Sequence, residues 1–305
     1  MHSAGTGALV QIEEKTTMYA ITGITGKVGG ALARALLVDC RLVRAIVRDI
    51  EKGRLWASQG CEVLRAEMEN QASLTAAFTG AEGVFILPPS EFDPAPGFPE
   101  ARAVIAAVKA ALESARPDKV VCLSTIGAQS TKSNLLTQRT LMEQALGELP
   151  IPITFLRPGW FMENAEWDVA SARDKGMIAS FLQPLSKPVS MVATADIGQV
   201  AAELLQQNWT GKRVVELAGP KRVTPLEIGA MFGKILGHAV RVEAVPRETW
   251  MALFTSQGML HPLPRIQMLD GFNEGWIDFE GGQAGSIKGK VELQTVLQEL
   301  VDRAG

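Results

Sequence analysis

Thr22-Gly23-Ile24-Thr25-Gly26-Lys27-Val28-Gly29 follows a short apolar run, Met18 to Thr22, and opens a stretch with Val28, Leu32, Ala35 and Leu36 at helical spacing. A strand, a glycine loop and a helix in that order form a cradle for phosphate. Without side chains, Gly23 and Gly26 let the backbone turn tightly and approach a diphosphate, while Gly29 lets the helix pack close to the strand. The free N–H groups at the helix start, with the positive end of its dipole, then face the phosphates. The spacing is GxxGxxG rather than GxGxxG, and its place between strand and helix is what separates a nucleotide loop from an ordinary turn.

Outward from this loop, short apolar strands alternate with helical stretches, the pattern of βαβ units around a parallel sheet covered on both faces. Strands are expected at Met18 to Thr22, Leu42 to Val47, Glu62 to Arg65, Val84 to Leu87, Lys119 to Ser124 and Ile153 to Leu156. Several are nearly continuous apolar runs, as a sheet buried on both faces requires. A later helix carries Val104, Ile105, Val108 and Leu112 on one face. After Leu156, Pro, Trp and Met become more frequent. The reading is therefore an α/β protein with a Rossmann-type, doubly wound parallel sheet: a loose tail over 1–17, a dinucleotide-binding domain over 18–156, and a smaller α/β substrate lobe over 157–305 with some segments returning to the sheet. Thr224-Pro225-Leu226-Glu227 reads as a capping box with Pro at the first helical position, leading into Ile228, Met231, Phe232 and Ile235 and stopping at Gly237.

Composition narrows the function. The 305 residues are 47% hydrophobic and 21% charged, an ordinary globular balance. Thirty Lys plus Arg against thirty-three Asp plus Glu give a net charge of -3, without a basic block to neutralise a run of nucleic-acid phosphates. Cys40, Cys61 and Cys122 are odd in number and far apart, so neither a disulfide framework nor a metal site is expected. His2, His238 and His261 are too scattered for a zinc centre. No apolar run approaches the roughly 18 residues of a membrane span, and the first seventeen residues lack the basic start and apolar stretch of a secretion signal, with Met18 an alternative start. A reducing, cytoplasmic setting follows.

The second strand ends Val47-Arg48-Asp49, where such a fold meets the adenosine ribose. An acid there accepts hydrogen bonds from a 2′-hydroxyl; a guanidinium grips a 2′-phosphate through two parallel charge-assisted bonds. Arg48 therefore favours NADP(H) over NAD(H), with Lys52 and Arg54 adding positive potential. The competing reading makes all three solvated surface charges and gives the ribose of NAD to Asp49.

These residues resemble the short-chain dehydrogenase/reductase superfamily and, more narrowly, its atypical NmrA-like branch. The marks are the TGxTGxxG loop, the Val47-Arg48 strand end, Ser124 after the fifth strand, the stretch Phe155-Leu156-Arg157-Pro158-Gly159-Trp160-Phe161-Met162-Glu163-Asn164, and Ala195-Asp196-Ile197 before a helix. In the wider superfamily a Ser, a Tyr and a Lys four residues after the Tyr assist hydride transfer, often with a Glu four further on. Counting back from Glu143 puts Arg139 at the Lys position and Leu135 at the Tyr position. The only tyrosine is Tyr19, in the first strand, so no YxxxK exists.

The resemblance implies that Arg157-Pro158-Gly159 passes beside the nicotinamide and that the aromatics after it cover the substrate. The candidate cofactor residues are thus Thr22, Gly23, Thr25, Gly26, Lys27, Val28, Arg48, Lys52, Leu87, Pro88, Ser124, Arg139, Pro158 and Gly159. Trp160, Phe161 and Asn164 are candidates for the substrate pocket; Trp167 and Phe85 are assigned to the core. Ser124 is a candidate to hydrogen-bond a substrate oxygen, or a loop hydroxyl capping its own backbone. Arg139 is either an anchor for cofactor ribose or phosphate or a surface helix charge, and it is a poor acid because it stays protonated. Glu163 and Asn164 line the cleft or begin a helix. His261 is either a proton donor or a structural histidine.

Two functions fit. The first is an NADPH-dependent reductase of a conjugated acceptor such as a quinone, azo or imine-type compound, whose delocalised charge water can protonate, so that positioning replaces the Tyr acid; the NmrA-like branch includes quinone and azo reductases. The second is a non-catalytic NADP(H)-binding redox sensor acting on a protein partner, for which Pro264 to Gly282 offers exposed-looking aromatics. Met251, Phe254, Met259 and Leu260 either bury a homodimer contact or fold inward. Arg48→Glu is expected to weaken NADPH binding much more than NADH binding in fluorescence titrations; equal losses would remove the 2′-phosphate assignment.

Overall fold

The computed structural model describes residues 17–304, so the segment read as a tail lies, but for Thr17, outside the described residues. The chain runs β1 (Met18–Thr22), α1 (Lys27–Val38), β2 (Leu42–Val47), α2 (Arg54–Ser58), β3 (Glu62–Arg65), α3 (Gln71–Phe78), β4 (Gly83–Ile86), α4 (Pro99–Ala115), β5 (Lys119–Leu123), α5 (Thr137–Gly147), β6 (Ile153–Pro158) and β7 (Trp160–Phe161). It continues through α6 (Val169–Lys175), β8 (Met177–Ser180), β9 (Val189–Val192), α7 (Thr194–Gln206), β10 (Lys212–Ala218), β11 (Arg222–Val223), α8 (Pro225–Leu236) and β12 (Arg241–Ala244). It ends with α9 (Trp250–Ser256), α10 (Leu263–Glu274), α11 (Gly282–Gly285), β13 (Ile287–Lys288) and α12 (Leu293–Ala304).

Eight strands form the main sheet in the order β13-β10-β6-β5-β4-β1-β2-β3, and their pairings are parallel. The order reverses between β1 and β4, the switch point at which sheets of this kind bind ligands. Period-2 alternation sends neighbouring residues to opposite cores. Ile21, Phe85 and Val121 pack with Leu32 and Leu36 of α1 and with Ile197, Ala201 and Leu205 of α7. Ala20, Val84, Ile86, Val120 and Cys122 pack with Phe78 of α3, Val108 and Leu112 of α4, and Leu146 of α5. Phe85 is fully buried. Late in the chain, α7, β10 and β13 lie on or in this sheet.

A third core gathers Phe232, Trp250, Phe254, Ile266, Leu269, Phe272 and Leu297, with Phe181 packed edge-on to Trp250 at a centroid distance of 5.6 Å. Ile126 and Leu135, from the segment after β5, belong to this same core, so the lobe is seated on the carboxyl edge of the sheet. α8 begins as its sequence dictates: the Thr224 hydroxyl accepts from Glu227 N–H at 3.1 Å, Glu227 accepts from Thr224 N–H at 2.7 Å, and Gly237 closes the helix in the left-handed region.

Several expectations are corrected. β6 continues through Arg157 and Pro158, because Glu216 and Leu217 of β10 extend the ladder. Ala195-Asp196-Ile197 lies inside the first turn of α7 rather than before it. Between Pro264 and Gly282, Phe272 and Phe279 are buried and Trp276 is half-buried, so these aromatics are not an exposed surface. Trp167, assigned to the core, is 89% exposed, since the short helix around it buries Met162 and Ala165 instead. Of the four apolar residues considered for a subunit contact, Phe254 is buried while Met251 and Leu260 are exposed.

Where α1 and α7 cross, only glycine fits: a Cβ on Gly198 would stand 2.5 Å from Ala31 Cβ and 2.6 Å from Leu32 N. Gly198→Ala is expected to lower the unfolding free energy by about 2 kcal/mol, read as a lower urea midpoint at unchanged slope, because backbone cannot yield as a side-chain tip does.

Candidate functional site

The glycine loop is built by contacts within its own backbone. Gly23 takes φ +67°, and Gly26 N–H donates to Gly23 O at 3.0 Å. A Cβ on Gly29 would sit 2.3 Å from Gly23 O, so this third glycine lets the helix close on the loop, rather than on the strand as its spacing suggested. Gly26 is the N-cap of α1 and provides no side-chain cap, and the first turn holds no acid. The first-turn amides are thus left for an anion.

Around the loop the side chains divide by role. The Thr22 hydroxyl is buried; it donates to Phe85 O at 3.1 Å and accepts from Leu87 N–H at 2.7 Å, so it ties β1 to the exit of β4. Leu87 in turn lies over Gly23, where an added Cβ would meet it at 3.2 Å. Thr25 and Gly26 are exposed, while Val28 points into the core and offers only its N–H. Lys27 reaches across to the lobe and pairs with Glu166 at 2.6 Å.

At the end of β2, Arg48 and Lys52 are exposed, and among the described residues neither side chain has a partner. Arg54 is different, since it pairs with Glu51 at 2.7 Å. Asp49 accepts Glu51 N–H at 3.0 Å and so caps the turn that follows β2.

The loop after β4 is braced from α5. Arg139 donates to Pro88 O at 3.0 Å, Pro89 O at 3.2 Å and Ser90 Oγ at 2.8 Å. It is therefore neither a free surface charge nor a free ribose anchor; burial pushes its guanidinium down to about 10, which still leaves it charged at neutral pH. Gln138, also buried, donates to Glu91 O at 2.8 Å. Pro88 is buried beneath this brace. Leu135, at the position counted for the tyrosine, is buried in the lobe core.

Ser124 is buried and its hydroxyl donates to Glu143, which holds Arg157 by two bonds of 2.8 and 2.6 Å. Arg157 also donates to Glu280 at 2.9 Å. Burial opposes the charge of Arg157, yet Glu143 and Glu280 raise its pKa above the ordinary value. The Ser124 proton is thus committed to a carboxylate, which removes it as a free donor. The spacing of Glu143 from Arg139 is visible in the sequence, but its ion pair with Arg157 is not.

The next stretch forms a wall. A Cβ on Gly159 would stand 2.6 Å from Ser190 O, which fixes the close passage of Pro158-Gly159 against β9. Trp160 packs on the lobe core and meets Phe272 edge-on at 5.1 Å, while Phe161 packs on the sheet core. Glu163 accepts Thr194 N–H at 2.8 Å and so caps α7, its other oxygen buried without a partner. Asn164 is exposed. His261 is half-buried, and its N–H donates to Asp93 at 2.6 Å. Among the described residues there is no group of three or more His, Cys, Asp or Glu that could hold a metal, and no helix is long and apolar enough to cross a membrane.

Parallel sheet, switch point and uncapped glycine turn define a Rossmann-type dinucleotide-binding fold. Residues 15–278 match the NmrA-like family, and the chain belongs to it. NAD(P)H azoreductase of Xenophilus azovorans is 28% identical over 246 residues, covering 79% of this chain and 82% of that protein. Quinone oxidoreductase 2 of Escherichia coli (strain K12) is 28% identical over 244 residues, with 79% and 82% covered. The solved triphenylmethane reductase of Citrobacter sp. shares the fold with a TM-score of 0.75 at 21% identity, covering 94% of this chain and 99% of that one.

Next to Glu166, at the end of the same short helix, burial pushes the Asp168 carboxyl up to about 6. Against an unfolded value near 3.9, the folded chain holds that proton more tightly, so the carboxylate's cost to stability is absent below about pH 4, grows as pH rises to about 6 and is constant above that. Asp168→Asn is expected to raise the unfolding free energy by about 2–3 kcal/mol at pH 8 and to leave it unchanged at pH 3.5, as read from urea midpoints.

Proposed function

We propose that this NAD(P)H-dependent oxidoreductase uses NADPH to reduce a conjugated acceptor of the quinone, azo or imine type, without a Tyr–Lys pair. The observation that carries the cofactor reading is the uncapped start of α1 together with two cations, Arg48 and Lys52, that have no partner among the described residues. The N–H groups after Gly26, beginning with that of Lys27, take the diphosphate. Arg48 grips the 2′-phosphate as a fork and Lys52 adds a point charge. Asp49, engaged in its own turn, is left out of the ribose site. Leu87, Pro88, Pro158 and Gly159 give the nicotinamide half an apolar, narrow passage, and Trp160, Phe161 and Asn164 border the acceptor.

The bound coenzyme supplies a hydride, which with one proton from water turns a quinone into its hydroquinone and leaves NADP+. The protein's own task is positioning and exclusion of water. Ser124 and Arg139 act by fixing the walls, the first through Glu143 and the second through the Pro88–Ser90 loop. Tyr19, the one phenol, is buried in β1 with its pKa raised by that burial, so it is no proton donor for the cleft. A simple ketone would need such a donor. A quinone or azo acceptor delocalises the incoming charge and takes its proton from solvent.

Purified protein mixed with NADPH and a panel of quinones, azo dyes and imines is expected to show steady loss of absorbance near 340 nm with at least one neutral aromatic acceptor. Tight NADPH binding with no turnover across the panel would replace the reductase reading with that of a redox sensor.

A further inference from the structure

We propose that Asp93 builds the mouth through which the acceptor enters, by clasping the lobe to the β4 exit loop so that Phe92 and Leu260 become paired apolar jaws selecting a neutral, planar, apolar acceptor. This rests on the reductase reading and assigns the residues that choose among its substrates.

The clasp joins chain segments far apart in sequence. One Asp93 oxygen accepts Leu260 N–H at 2.7 Å and the other accepts His261 N–H at 2.6 Å. Those two backbone donors, with the nearby His261 side chain, lower the Asp93 pKa, so the clasp stays closed through neutral pH. On each side of it stands a large apolar side chain in water: Phe92 is 64% exposed and Leu260 80% exposed. A lone exposed leucine or phenylalanine calls for no explanation, but two at one hydrogen-bonded joint make an apolar rim.

The joint is reached along the β4 exit loop from the nucleotide crevice. Leu87 lies over Gly23, and Phe92 is five residues further along, within roughly 17 Å of extended chain. The first loop is held from α5 by Arg139 and Gln138, and the start of α10, just after His261, is held by Leu135, two residues before α5, whose N–H donates to Pro264 O at 2.8 Å. The rim is thus preformed, as small-molecule sites usually are. Two carboxylates, Asp93 and Glu91, border the opening, Glu91 accepting Asp93 N–H at 3.0 Å. They repel anionic acceptors and leave neutral ones to the apolar faces.

The test uses the full chain with menadione and 1,4-benzoquinone. Phe92→Ala and Leu260→Ala are each expected to raise KM for menadione about tenfold, and KM for the smaller benzoquinone less than about twofold, since the larger acceptor loses more apolar contact. kcat and the NADPH Kd should stay unchanged. Asp93→Ala should raise both KM values, with Asp93→Asn in between because an amide oxygen replaces only one of two acceptors. Unchanged KM values in both jaw variants, or equal rises for both quinones, would overturn the proposal, and these variants decide the matter if Asp93→Ala does not fold. If the unaltered protein turns over neither quinone, the reductase reading fails, and calorimetric binding of menadione to NADP+-loaded protein still tests the mouth. There, an affinity loss of about tenfold in Phe92→Ala supports it and equal affinity overturns it.

Discussion

The approach of Gly29 to the Gly23 carbonyl is the contact on which the rest of the molecule depends. A methyl group at Gly29 would push helix and loop apart, lying 2.3 Å from that carbonyl oxygen, and one at Gly23 would need a left-handed backbone and would crowd Leu87. Because helix and loop close together, the N-terminus of α1 is delivered to the switch point between β1 and β4 with its amides bare. Thr22 transmits the same constraint sideways, since its hydroxyl bonds both Phe85 O and Leu87 N–H. The loop thus sets the start of the acceptor wall as well as the phosphate cradle.

Polar side chains near this edge are consumed as struts. Ser124 holds Glu143, Glu143 holds Arg157, Arg139 holds three acceptors of the β4 exit loop, Glu163 caps α7 and Asp93 joins two loops. Each satisfied bond stabilises only modestly in net terms, but an unmade one at a buried site costs more, so such struts are hard to loosen. A cleft whose polar groups are spent on scaffolding presents apolar surface to its ligand. That arrangement suits chemistry that needs orientation and dryness more than a dedicated acid.

Local features were legible in the sequence because local rules generate them. β1, β2 and β3 begin and end where the apolar runs do, and the α8 capping box follows from residues three apart. The match to the NmrA-like family agrees with the resemblance carried by the glycine loop and the Arg157–Asn164 stretch. What escaped has partners distant in sequence. The extension of β6 needs β10, and the Asp93 clasp spans 168 residues at His261. Trp167 misled because large aromatics are usually buried, while the turn around it gives its inner face to Met162 and Ala165.

Arg139 is matched to the loop it holds. The loop it braces contains Pro88 and Pro89, which have carbonyls but no N–H, so this loop cannot close on itself with backbone bonds as other turns do. It needs donors from outside. A guanidinium offers five in a fixed fork, and Arg139 reaches Pro88 O, Pro89 O and Ser90 Oγ at once. A lysine there would place one compact charge among three acceptors fixed in different directions, and burial would bring its pKa toward neutrality more readily. Arginine at this position and prolines in the loop are therefore matched: the side chain that cannot serve as an acid is the one that can hold a donor-poor wall in place.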